Sequence, residues 1–141
     1  DFKHVGASWL TKENTIEETK NVLAYVDQVY KSEIKVKPPN LIILGYSQGV
    51  SIATRWVAAR KINCNHLILH SGGIPSELEP EDFSHLKKTS KVSYTYGNKD
   101  PYINDVRITQ ETIKGNRLFG KYLKIEVIHL SCFFLKNLPW A

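Results

Sequence analysis

The sequence predicts an α/β fold, a mostly parallel sheet of about four strands flanked by helices. Three observations carry this. Short apolar runs alternate with stretches of helical length and period along the 141 residues. Gly45-Tyr46-Ser47-Gln48-Gly49 follows one such run and leads straight into a helical stretch. Ser47, Ser71-Gly72-Gly73 and Asp100 each fall just after a predicted strand, the end of a parallel sheet where working residues gather. Alternation of this kind implies right-handed crossovers, with helices on both faces of the sheet.

Residues 1–13 are irregular, with Gly6-Ala7-Ser8-Trp9 their one distinctive patch. A helix follows. Asn14 with Glu17 three positions on forms an Asx capping box, and Ile16, Val22, Leu23, Val26, Val29 and Tyr30 recur at helical spacing. Pro38-Pro39 end any helix and lead into a strand at 41–44, Leu-Ile-Ile-Leu. Residues 50–60 read as helix, Asn63-Cys64-Asn65 as a turn, and His66-Leu67-Ile68-Leu69-His70 as a second strand. Residues 74–90 are polar and punctuated by proline, a surface excursion with room for a short helix. Val92, Tyr94 and Tyr96 alternate with polar residues in a third strand that stops at Gly97-Asn98-Lys99-Asp100-Pro101. Asn104 or Asp105 can cap a further helix, expected to run through Ile113 and stop at Gly115-Asn116. Leu123, Ile125 and Val127 alternate in a fourth strand. No repeat or linker interrupts the chain, so residues 1–141 are expected to form one domain.

Composition narrows the function. At 42% hydrophobic and 11% aromatic residues there is enough apolar surface for a core. The net charge of +5 comes from scattered Lys and Arg, without the basic run or aromatic-basic motif of a nucleic-acid partner. Cys64 and Cys132 lie far apart without metal-ligand spacing, so no metal site is expected, and a reduced, cytoplasmic setting is the expectation. No apolar run is long enough to span a bilayer. The chain contains no methionine, which marks it as processed or as a fragment of something longer.

Strand, tight turn and helix around Gly-x-Ser-x-Gly make Ser47 a candidate nucleophile on an elbow. Gly45 and Gly49 are then expected to remove β-carbons where strand and helix pass closely. The helix N-terminus beneath Ser47 favours an oxyanion, and the Gln48 N–H is placed to donate to it. The competing reading is an ordinary strand-to-helix turn with a capping serine. A serine nucleophile needs a base, and the base needs an acid to orient it. Asp100, after the third strand, is the candidate acid; its competing reading is an aspartate favoured in a turn before proline.

Three blocks resemble the phospholipase/carboxylesterase family of α/β-hydrolases, which includes the acyl-protein thioesterases: Gly45-Tyr46-Ser47-Gln48-Gly49, Leu69-His70-Ser71-Gly72-Gly73-Ile74-Pro75 and Tyr96-Gly97-Asn98-Lys99-Asp100-Pro101-Tyr102. The likeness runs from about Gly6 to Ile128. It implies hydrolysis of small-molecule carboxylic esters or thioesters through an acyl-serine intermediate, with no cofactor. Ser47 would be nucleophile and Asp100 acid, in the chain order Ser, Asp, His of such enzymes. Trp9 lies in a segment similar to one that lines the family's acyl pocket.

The chain departs from that pattern twice. The family begins with several strands and a His-Gly loop that supplies a second oxyanion N–H, and residues 1–40 hold no counterpart. Loss of one such donor costs on the order of 3–4 kcal/mol of transition-state stabilisation. The strand at 41–44 would then be an exposed apolar edge, a route to self-association. The family also places its histidine in a Gly-x-His loop after the last strand, where this chain reads Ile128-His129-Leu130-Ser131-Cys132-Phe133-Phe134. His129 is the nearest stand-in, and a frameshift or truncation near residue 130 would produce such a tail. The expectation is therefore a partial α/β-hydrolase fold whose N-terminal strands are missing, crippled as an enzyme. A non-catalytic interaction module on a hydrolase remnant is the alternative. A nucleotide-binding domain is disfavoured, because both G-x-G-x-x-G and a P-loop lysine are lacking.

Overall fold

The computed structural model of the chain describes residue 10 and residues 15–36, 38–120 and 123–128. The cap expected at Asn14, the pocket residue Trp9 and the stand-in base His129 lie outside these. The chain divides into two compact units, Asp1–Pro38 and Pro39–Ala141.

The first unit contains helix α1, Thr15–Glu33. Glu17 and Glu18 in its first turn and Lys31 in its last complement the helix dipole. The expected apolar face is narrower than the spacing suggested. Leu23 is buried, whereas Ile16 is 88% exposed and Val29 41%.

The second unit is built on a parallel sheet of β1 (Ile42–Tyr46), β2 (His66–His70), β3 (Lys91–Gly97) and β4 (Leu123–Ile128), in that spatial order. Strand alternation assigns the faces. Leu67, Leu69, Val92 and Tyr94 point to one face and are fully buried. That face is covered by helices α2 (Gln48–Arg60) and α3 (Asp105–Phe119), which follow β1 and β3. Val50, Thr54, Trp56 and Val57 bury the α2 side of this layer. The Thr54 hydroxyl is satisfied within the helix by donating to the Val50 carbonyl at 2.6 Å. The two helices thus share a face.

Across the other face run Leu44, Tyr46, Ile68, His70, Thr95 and Ile128, lining an open groove of about 400 Å³. At its margin, β1 is an edge strand of the described sheet, and Ile42 and Leu44 are more than 60% exposed.

The excursion after β2 holds one short 3-10 turn, Pro80–Phe83, with Phe83 packed edge-on against Phe119 of α3. Helix α3 starts as one reading of its cap required: Asn104 accepts from the Arg107 N–H at 2.9 Å. Its end differs from expectation. The helix runs past Gly115 to Phe119 and stops at Gly120, whose φ of 51° is left-handed. Gly115 is there for packing, since a β-carbon on it would come within 2.7 Å of Leu123 Cδ2. A glycine that ends a helix and one that lets a helix press on a sheet look alike in sequence.

Candidate active site

Because every strand pair is parallel, the turns after β1, β2 and β3 meet at one end of the sheet. Ser47, Ser71 and Asp100 all lie there. The β1–α2 junction has no room for a loop. Ser47 alone makes the reversal, at φ 52° and ψ −120°, a backbone strain of about 1–3 kcal/mol for a residue with a side chain. Its N–H donates to the His70 carbonyl at 2.9 Å and its carbonyl accepts from the Val50 N–H at 3.1 Å, which ties the turn to β2 and to α2. An ordinary N-cap has extended backbone and a hydroxyl turned onto the helix. Ser47 has neither, and its side chain makes no cap hydrogen bond. The capping-serine reading is therefore the weaker one.

Close packing enforces the turn, though only one of the two expected glycines must lack a β-carbon for it. A β-carbon on Gly45 would lie 2.6 Å from the Gly49 carbonyl oxygen and 2.7 Å from Val50 Cα, so strand and helix touch there. A β-carbon on Gly49 would meet nothing within 4 Å. The β-carbon direction of Gly49 is open while its carbonyl faces Gly45, and the second position that excludes a β-carbon is Gly72. There a β-carbon would fall 2.0 Å from the Ser47 carbonyl oxygen and 2.5 Å from Val50 Cγ2. The Ser-Gly-Gly run after β2 was the signal for this; its partner across the fold was not legible. Ser71 itself has φ 50°, and its hydroxyl is buried with no hydrogen-bond partner among the described residues.

Asp100 closes the turn after β3. Its N–H donates to the Gly97 carbonyl at 3.1 Å, and its Oδ1 accepts from the Tyr102 N–H at 2.9 Å. One carboxylate oxygen thus serves the Asx turn that the competing reading called for. Strands β1 and β3 lie two strand spacings apart, about 10 Å. A carboxylate so placed needs a third group between itself and Ser47.

The described histidines have other engagements. His66 Nε2 lies 2.8 Å from Ser93 Oγ, and His85 Nε2 donates to the Ile62 carbonyl at 3.1 Å. His70 Nδ1 lies 2.8 Å from Thr95 Oγ1, with its ring stacked on Tyr46 at 5.5 Å. Burial holds the His70 imidazole below its ordinary pKa, and the Asp100 charge opposes that only in part. The unfolded chain takes up the proton first, so the fold loses stability as pH falls through about 6.5. Melting temperature should therefore drop more for the wild type than for His70→Gln between neutral pH and about 5. Parallel drops in the two proteins would show that His70 is not the group responsible.

Among the described residues no cluster of three or more His, Cys, Asp or Glu side chains could hold a metal ion. No described helix is long and apolar enough to cross a membrane.

Comparison with known proteins agrees with the fold. The crystal structure of a variant of SOBER1 from Arabidopsis thaliana superposes with a TM-score of 0.55 over 90% of this chain, at 19% sequence identity. The chain covers 62% of the length of that protein. No curated protein matches the sequence. The family model described as Phospholipase/Carboxylesterase matches residues 2–123. A parallel α/β sheet with a strained Gly-x-Ser-x-Gly turn at its carboxyl end, matched by that model over most of its length, belongs to the phospholipase/carboxylesterase family of hydrolases.

Proposed function

We propose that Ser47 is the nucleophile of a serine hydrolase that cleaves small-molecule carboxylic esters or thioesters through an acyl-serine intermediate. The observation that carries this is the conformation of Ser47: left-handed in φ, uncapped, and wedged by Gly45 and Gly72 between β1 and α2. Strain held in place by packing on both sides is what a serine presented to a substrate needs. The Gln48 N–H, at the first position of α2, donates to the oxyanion with the helix dipole behind it. Asp100 is the acid, reaching Ser47 through a base. None of the described histidines hydrogen-bonds Ser47 or Asp100: one ring nitrogen each of His66, His70 and His85 is turned to Ser93, Thr95 and the Ile62 carbonyl. With no base among the described residues, turnover by them is slow, because removing the base of a triad costs about six orders of magnitude in kcat.

A fluorophosphonate probe followed by peptide mass mapping tests the reading. Slow covalent labelling at Ser47, absent in Ser47→Ala, is the expected result. Labelling that persists in Ser47→Ala would remove Ser47 from the role, and rapid hydrolysis of a chromogenic short-chain ester would overturn the missing base.

The second reading, a non-catalytic interaction module, is favoured by a separate observation: the exposed apolar edge of β1. It expects self-association in size-exclusion chromatography with no labelling of Ser47. A cytoplasmic setting remains part of the proposal, on the unpaired, buried Cys64 thiol.

A further inference from the structure

Helix α3 carries an ion pair whose position a surface role does not explain. Glu111 is 4% exposed although carboxylates are rarely buried. Its Oε2 accepts from the Ile74 N–H at 2.7 Å, and its Oε1 lies 3.0 Å from Lys114 Nζ. Lys114 in turn donates to the Ile74 carbonyl at 3.2 Å. Both main-chain polar groups of Ile74 are thus held by one turn of α3. Two residues earlier, Gly72 is pressed against the Ser47 carbonyl, where no β-carbon would fit. Between the two lies only Gly73, and on the other side of Gly72 stands Ser71. Ser71 is left-handed with its hydroxyl unpartnered among the described residues, a conformation that persists only where the surroundings impose it.

We infer that Glu111, with Lys114 behind it, is the positioning residue for the Ser47 turn: it anchors Ile74, Ile74 fixes Gly72, and Gly72 holds the Ser47 carbonyl where α2 begins. The inference deepens the hydrolase reading and rests on Ser47 being its working serine. The chain runs from a hydrogen bond at Ile74, along the main chain through Gly73, to a steric contact of backbone on backbone at Gly72 and Ser47. A buried carboxylate on a main-chain N–H is charge-assisted, roughly twice the strength of a neutral bond. Helix α3 thereby reaches the nucleophile without touching it.

Amide hydrogen exchange on the full chain, with fluorophosphonate labelling alongside, tests this. The reporters are the Ile74 N–H, held by Glu111, and the Val50 N–H, held by the Ser47 carbonyl itself. Glu111→Leu removes the acceptor at similar volume. It should speed exchange at Ile74 and at Val50 by about tenfold or more and slow labelling of Ser47 by a similar factor, with the Leu67 and Leu69 amides of β2 unchanged. Glu111→Gln keeps an acceptor oxygen and should restore most of both. If Glu111→Leu does not fold, Lys114→Met removes the cation and leaves the carboxylate, with about threefold faster exchange at the same two amides expected. Arg117→Gln is the control. Arg117 grips Glu79 and the carbonyls of Ser76 and Leu78 further along the same excursion, so it should lower stability and leave Val50 as it was.

A change at Ile74 that never reaches Val50 overturns the inference, as does a uniform rise across all amides. A wild type unlabelled at Ser47, with the amide pattern intact, instead sinks the hydrolase reading and leaves the coupling of α3 to the Ser47 turn in place. A labelled wild type whose Val50 ignores Glu111 sinks the coupling alone.

Discussion

Gly72→Ala is expected to lose at least about 3 kcal/mol of stability and to abolish labelling of Ser47, an outsized effect for one methyl group. The new carbon would stand 2.0 Å from the Ser47 carbonyl oxygen, closer than any non-bonded contact allows. Overpacking is tolerated when a flexible side chain can swing aside. Here the obstacle is backbone, and that backbone is fixed from both directions, by the Ser47 N–H on the His70 carbonyl and by the Val50 N–H on the Ser47 carbonyl. Val50 cannot yield either, because it is β-branched and fully buried. Gly49→Ala supplies the contrast. With nothing within 4 Å and a place inside α2, that methyl should be neutral or stabilising by up to about 1 kcal/mol, from helix propensity. Chemical denaturation of the two variants beside the wild type checks both. A Gly72→Ala protein as stable as the wild type would mean that the turn can relax, and with it the case for a wedged nucleophile would weaken.

That contrast also shows where the sequence was legible. The strands were readable because apolar alternation and short apolar runs report burial directly, and the four of them appear at the expected places. The elbow was readable because its three parts are adjacent in the chain. The second wedge was not. Gly72 meets Ser47 across two strands, and the motif's own Gly49 offered itself as the partner because it is close in sequence. Glu111 was invisible for a related reason. An acid on an amphipathic helix reads as solvated surface, and nothing in its neighbours says that a main-chain N–H 37 positions away needs an acceptor. Gly115 misled in the same manner, since the apolar neighbours it packs on, Leu123 and Ile74, come from other elements. Local chemistry is readable along the chain, and contacts between distant segments are not.

Tyr94→Phe is expected to weaken the fold by about 1–3 kcal/mol, and Tyr94→Ala by about 3–5 kcal/mol. Tyr94 is fully buried in β3, and its hydroxyl donates to the Gly72 carbonyl at 3.0 Å. The phenylalanine variant keeps the ring's packing and strips that carbonyl of its donor, so the difference between the two variants separates hydrogen bond from volume. Alkaline pH gives an independent reading of the same bond. Burial first, and the nearby Glu111 charge after it, push the Tyr94 phenol up to about 12, with Arg107 opposing. The folded protein therefore keeps this proton to a higher pH than the unfolded chain, whose phenols titrate near about 10. Stability from this group is complete below about pH 10 and is lost as pH rises through about 12, an amplitude of about 2–3 kcal/mol. Urea melts across that range should show the loss in the wild type and not in Tyr94→Phe, while tyrosinate absorbance should show one phenol titrating late. Equal alkaline slopes in the two proteins would place the titration elsewhere. A slope that vanishes with the hydroxyl would show that Gly72 is held from the sheet by Tyr94, on the segment that α3 grips through Ile74, so that the Ser47 turn is braced from two independent elements.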